Sequence, residues 1–133
     1  MARALRIDKK IVLSAPLDRV WESISTAKGL AAWFADRVSA DVAEGEFVDF
    51  GWGEGPTAHR SRAVVLRVHD RKMVMLRWED TSSHSRDDYF SLSVKSTRKG
   101  TEVTVVDFAT KDTRDEVDEV WDECVAKLTE ALA

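Results

Sequence analysis

The sequence predicts an α+β fold, a strongly bent antiparallel sheet of about six to seven strands around one long C-terminal helix, with two short helices after the first strand. Three observations predict it. Val117, Val120, Trp121, Cys124, Val125, Leu128 and Leu132 recur at three- and four-residue steps, the apolar stripe of an amphipathic helix. Residues 60–108 break into short β-rich segments whose joints are too brief for parallel crossovers, so neighbours must pair antiparallel. Between the first strand and the rest lies a stretch with helical rather than alternating periodicity.

The elements follow in order. A first strand is expected over 5–13. Leu17, Val20, Trp21 and Ile24 then share one helical face, and Pro16 suits the first turn, where its missing N–H would have no partner anyway. Thr26 is placed to cap a second short helix carrying Leu30, Trp33 and Phe34. Strands are expected over 37–42 and 46–52, with a turn at Glu44 and Gly45, and then over 63–68, 73–78, 89–94 and 101–108. Phe90, Leu92 and Val94 alternate with Tyr89, Ser91, Ser93 and Lys95, one buried face against one wet face. Lys99 and Gly100 supply a hairpin turn. Thr113 and Glu116 have the spacing of a capping box, which starts the last helix at Thr113. Twenty helical residues span about 30 Å, close to the width of six or seven strands at about 4.8 Å spacing. One helix can therefore cross the whole sheet.

The chain has 133 residues, which fits one domain over 1–133. Hydrophobic residues make up 44% and charged residues 33%, with two prolines and six glycines, a composition that speaks against disorder. The first residues carry scattered charge and no apolar run long enough for a signal peptide or membrane span, and Cys124 is the sole cysteine, so a cytoplasmic location without integral membrane association is expected. The net charge of −4 is uneven: residues 105–133 hold nine acids against three bases, leaving fifteen acids against seventeen bases upstream. No basic face stands out and the last helix is acidic, so binding to nucleic acid lacks its usual electrostatic drive.

The element order, together with SAPLDRVWESIS at 14–25, GLAAWFAD at 29–36, Arg77–Trp78 and the closing WDECVAKLTEAL, resembles the START-like (SRPBCC) superfamily, and within it the heat-shock protein 90 ATPase activator homologue branch. The resemblance implies a helix-grip fold enclosing an apolar cavity, which the superfamily uses for lipids, sterols, polyketides or plant hormones. Some members are enzymes and some act on protein partners. The chaperone-activating role is not carried over, because these residues hold no second domain of the kind full activators present to the chaperone.

On that fold the cavity lining would come from Trp33, Phe50, Trp52, Leu76, Trp78, Phe90, Leu92 and Val105, facing Val117 and Trp121 on the last helix. Core packing is the plain alternative for all of them. Asp107 is the one polar candidate. Strand alternation from Val103 and Val105 puts it on the inner face, where a bare carboxylate is costly and needs a partner; Arg77 is one candidate, although alternation turns it outward. A bulge at Val105 and Val106 would instead send Phe108 inward and Asp107 to solvent.

The remaining candidates are plain ones. His59, His69 and His84 show no metal-ligand spacing, so neither metal nor cofactor is expected. Cys124 reads as a small buried hydrophobe. Asp115, Glu116, Asp118, Glu119, Asp122 and Glu123 read as the solvated face of the last helix. The glycine-rich GWGEGP of 51–56 lacks a phosphate-loop lysine and reads as a cavity-mouth loop with Trp52 as its gate.

With no triad, paired catalytic carboxylates or nucleophile motif, the leading expectation is a non-enzymatic binding module for a small, largely hydrophobic molecule. The alternatives are a cyclase, aromatase or hydrolase-type enzyme using Asp107, and a chaperone cofactor or other protein-interaction module. The last includes a homodimer through a strand edge or the outer faces of Val12 and Val65.

Overall fold

The computed structural model describes residues 5–79 and 89–133. Seven strands form one sheet: β1 (Leu5–Leu13), β2 (Arg37–Val38), β3 (Phe47–Trp52), β4 (His59–His69), β5 (Met73–Trp78), β6 (Tyr89–Thr97) and β7 (Gly100–Ala109). Helices α1 (Leu17–Ser25) and α2 (Ala27–Ala31) follow β1, a 3-10 turn covers Gly55–Thr57, and α3 (Arg114–Ala131) closes the chain. The strand order is β1-β7-β6-β5-β4-β3-β2, every pairing antiparallel. The first strand therefore lies beside the last, and α1 and α2 carry the chain across to begin β2 at the opposite edge. This is the helix-grip architecture that the sequence predicts.

Period-two alternation builds the inner face. Val48, Phe50, Ala63, Val65, Val74, Leu76, Phe90, Leu92, Val94, Val103 and Val105 all point inward and are buried. Trp121 and Leu128 from α3, Leu132 just beyond it, and Val20 and Ile24 from α1 close over them in one cluster. Lys9, on the edge strand β1, reaches α3 and donates to Asp118 and Asp122 at 2.7 and 2.8 Å, which fastens the acidic helix to the sheet. Asp118 and Asp122 are thus partly engaged, while Asp115, Glu119 and Glu123 are exposed.

Several local expectations change. Strand β2 ends at Val38: Ser39 still donates its N–H to the Asp49 carbonyl of β3 at 3.0 Å, but beyond it Asp41 Oδ1 accepts from the Ala27 N–H at 2.8 Å and the Val42 N–H donates to the Ser25 carbonyl at 2.9 Å. These bonds tie 41–42 to the α1–α2 junction instead of the sheet. Strand β4 begins four residues earlier than expected, at His59, and carries an irregularity between Val65 and Arg67, the kind of bulge that bends a sheet. Val65 is 1% exposed and inward, whereas Val12 is 51% exposed, so only Val12 of that pair offers an outer face. Ser91, expected on a wet face, is buried.

The caps also differ. Thr26 accepts from the Gly29 N–H at 2.9 Å, as its position predicts. Pro16 is the extended residue before α1, its carbonyl accepting from Arg19 and Val20. Thr113 makes no capping bond to α3; its backbone is already near-helical and its hydroxyl oxygen accepts from the Thr110 N–H at 3.0 Å. The capping box is absent and the helix begins at Arg114. No helix among the described residues is long and apolar enough to cross a membrane.

Candidate functional site

A pocket of about 720 Å³ opens between α3 and the inner face of β3, β4, β5 and β7. Its sheet side is Trp52, His59, Ser61, Trp78 and Asp107, joined by Phe34 from the segment after α2; its helix side is Thr113, Glu116, Val117, Val120, Trp121 and Cys124. The helix contributes one stripe, because Val117, Val120, Trp121 and Cys124 lie three or four residues apart. The sheet contributes alternate residues of its strands: 59 and 61 continue the inward set that holds Ala63 and Val65.

Phe34, just past α2, is the centre of the aromatic wall. Its ring lies 5.1 Å from Phe50, 5.7 Å from Phe90, 5.8 Å from Trp121, 6.1 Å from Trp52 and 6.3 Å from Trp78, mixing edge-on and stacked contacts. Trp52 is fixed at two points: its indole N–H donates to the Phe34 carbonyl at 3.0 Å, and its ring packs against His59 at 5.6 Å. A ring held in this way is a wall of the pocket, not the swinging gate that the glycine-rich loop suggests.

Asp107 is the carboxylate on the sheet side of this space. The register of β7 runs unbroken on both sides, from Val103 opposite Ile11 and Val94 to Asp107 opposite Ile7, so no bulge turns the strand and the side chain faces α3. One carboxylate oxygen accepts from the Trp121 indole N–H at 2.7 Å and the other from the Phe108 N–H at 2.7 Å. Burial pushes its pKa above the ordinary aspartate value, while the two hydrogen bonds pull in the opposite direction. Its partner is Trp121 and not Arg77, whose Nη2 donates to Glu79 at 3.2 Å on the other face of β5. Cys124 is half-buried on the pocket wall, and burial raises its thiol pKa, which disfavours the nucleophilic thiolate. Ser61 Oγ lies 3.2 Å from His59 Nε2 near the opening.

Of the lining expected from sequence, Trp52, Trp78, Asp107, Val117 and Trp121 lie on the pocket wall. Phe50 and Phe90 stand behind it in ring contact with Trp78. Leu76, Leu92 and Val105 belong to the packed core. Trp33 faces away from the pocket, its indole N–H donating to the Ser23 carbonyl at 2.8 Å. Sequence reasoning missed Phe34, His59, Ser61, Thr113, Glu116, Val120 and Cys124 as wall residues. For Val120 and Cys124 the signal was present in the helical stripe; for His59 and Ser61 it needed the true start of β4. His69 ends β4, His84 lies outside the described residues, and among those described no group of three or more His, Cys, Asp or Glu could hold a metal ion.

No curated protein is similar enough to count as a match. Among solved structures, a protein of Bacillus halodurans has 22% identity and a TM-score of 0.79, covering 100% of both chains. The Aha1 dimer of Colwellia psychrerythraea has 17% identity and a TM-score of 0.79 over 96% of each chain. DynU16, from the dynemicin biosynthetic locus, has 19% identity and a TM-score of 0.79; the match covers 96% of this chain but 46% of DynU16, so the chain spans about half that protein's length. These identities establish a shared fold. Residues 14–133 match the family of Activator of Hsp90 ATPase homolog 1-like proteins, and the chain belongs to that family.

Proposed function

We propose that this protein binds a small, largely hydrophobic molecule in the pocket between the sheet and α3, as a binding module and not an enzyme. The observation that carries the reading is the pocket itself: about 720 Å³, walled by Phe34, Trp52, Trp78, Val117 and Trp121, with Asp107 as a fixed polar point. Small-molecule sites have this size and this composition of apolar surface with few polar groups. Asp107 and Trp121 hold each other, so a ligand donor can be oriented there with little reorganisation. A cytoplasmic location fits the single cysteine, Cys124.

Native mass spectrometry of protein purified from its own host tests the reading. A reproducible co-purifying mass, lost when Val117→Trp fills the pocket, supports it. Bare protein that also fails to take up N-phenyl-1-naphthylamine overturns it.

A second reading has one observation in its favour. A carboxyl with a raised pKa inside a pocket suits general acid or base work. If Asp107 serves an activity of cyclase or hydrolase type, Asp107→Asn abolishes turnover while leaving binding in place. Unchanged turnover removes Asp107 from that role.

A further inference from the structure

On the face of the sheet turned away from α3, the register lines up Arg37 of β2, Gly51 of β3 and Arg60 of β4 as one cross-strand row. Gly51 has no side chain to separate the two arginines. The Arg37 guanidinium occupies that gap: its Nη2, Nε and Cζ lie 2.8, 2.9 and 3.1 Å from where a Cβ on residue 51 would stand. The side chain is thus laid across β3 in the direction of Arg60. Both arginines line a concavity of about 590 Å³ together with Ser39, Asp49 and Arg62.

The charges there do not cancel. Among the described residues Asp49 is the sole carboxylate lining the concavity, and it is committed to Arg62, accepting from Nε at 2.8 Å and Nη2 at 3.3 Å. Arg62 is further held over the Phe47 ring at 5.3 Å. Among the described residues, neither Arg37 nor Arg60 has an ion-pair partner. Two arginines without an ion-pair partner among the described residues therefore line one notch, on a protein whose net charge is −4. Guanidinium forks match the oxygen pairs of phosphate, and two forks on one group give the recognition that a single surface arginine lacks.

We propose that the Arg37–Gly51–Arg60 notch is a binding site for a phosphate group, separate from the pocket beneath α3. Gly51 is part of the site because it lets Arg37 lie across the row. Two sources can bring that phosphate, a soluble phosphate compound or a lipid headgroup.

Isothermal titration calorimetry with inorganic pyrophosphate at fixed low salt tests the site, with thermal unfolding as the check on folding. One saturable site is expected, weakened at least tenfold in the Arg37→Gln/Arg60→Gln double variant. Gly51→Ala is expected to weaken it at least threefold without altering any charge, because the new Cβ displaces the Arg37 guanidinium. Arg98→Gln, in the β6–β7 hairpin, is expected to stay within twofold. The single variants Arg37→Gln and Arg60→Gln serve if Gly51→Ala fails to fold. Co-sedimentation with phosphatidylglycerol vesicles, against phosphatidylcholine vesicles, separates the sources. Arg37- and Arg60-dependent vesicle binding assigns a headgroup; pyrophosphate binding without it assigns a soluble phosphate. Absence of both, or an Arg98→Gln loss as large as that of the double variant, overturns the proposal.

Discussion

A carboxylate set among aromatic rings loses solvation that hydrogen bonds only partly restore, and Asp107 is in this position with a pKa raised by burial. The sign of its effect on stability follows. Below the unfolded value of 3.8 the group is protonated in both states. As pH rises from there through the raised folded value, the unfolded chain ionises first and stability is lost; above the folded value the loss is complete. Asp107→Asn should therefore remove a decline in stability between mildly acid and neutral pH, by an amount within the about 0.5–3 kcal/mol of single substitutions. Urea unfolding of both proteins across pH 4–8 measures it. Trp121→Phe should act in the opposite direction, since it deletes the donor that stabilises the charged form: a further rise of the Asp107 pKa by NMR titration, with about 1–3 kcal/mol lost at neutral pH. Alternation along β7 made the inward position of Asp107 legible in the sequence. Its partner was not, because Trp121 lies fourteen residues on, across the layer between sheet and helix, and no sequence spacing encodes that contact.

The elements were legible where a long periodic pattern fixes them and not where a few bonds decide. The stripe from Val117 to Leu132 identified α3, and alternation identified β6. The cap of α3 was misread because Thr113 has the right residue type but a near-helical backbone, so its hydroxyl turns back to Thr110. The far end of β2 was misread because Asp41 and Val42 bond to the helical insert, a competition invisible in 37–42 taken alone. The β6–β7 turn shows the same point from the other side. Gly100 has φ +139°, and a Cβ there would lie 2.0 Å from the Leu13 carbonyl oxygen. A glycine signals a turn in any sequence, but the close approach of β1 shows only in the fold. Gly100→Ala should cost about 2–4 kcal/mol in thermal or chemical unfolding, through backbone strain and the clash with β1 together.

For the whole molecule, the two faces of one sheet carry different chemistry. The inner face and α3 enclose an aromatic pocket with carboxylates at Asp107 and Glu116, while the outer face at β2–β4 gathers Arg37, Arg60 and Arg62. The antiparallel sheet and its long helix were legible from periodicity and joint length, the helix-grip fold from the family resemblance, and five of the twelve pocket-wall residues with them. The rest depends on how far each strand runs and on where Phe34 settles after α2, both set by packing across the layers. The central claim is that a hydrophobic ligand enters beneath α3, and the five tryptophans report on it directly: Trp52, Trp78 and Trp121 line the pocket, while Trp21 and Trp33 lie outside it. Titration with N-phenyl-1-naphthylamine, followed by the indole N–H signals in an NMR spectrum, should shift the first three and leave the other two in place. Shifts confined to Trp21 and Trp33, or no shift in any of the five, would contradict the account.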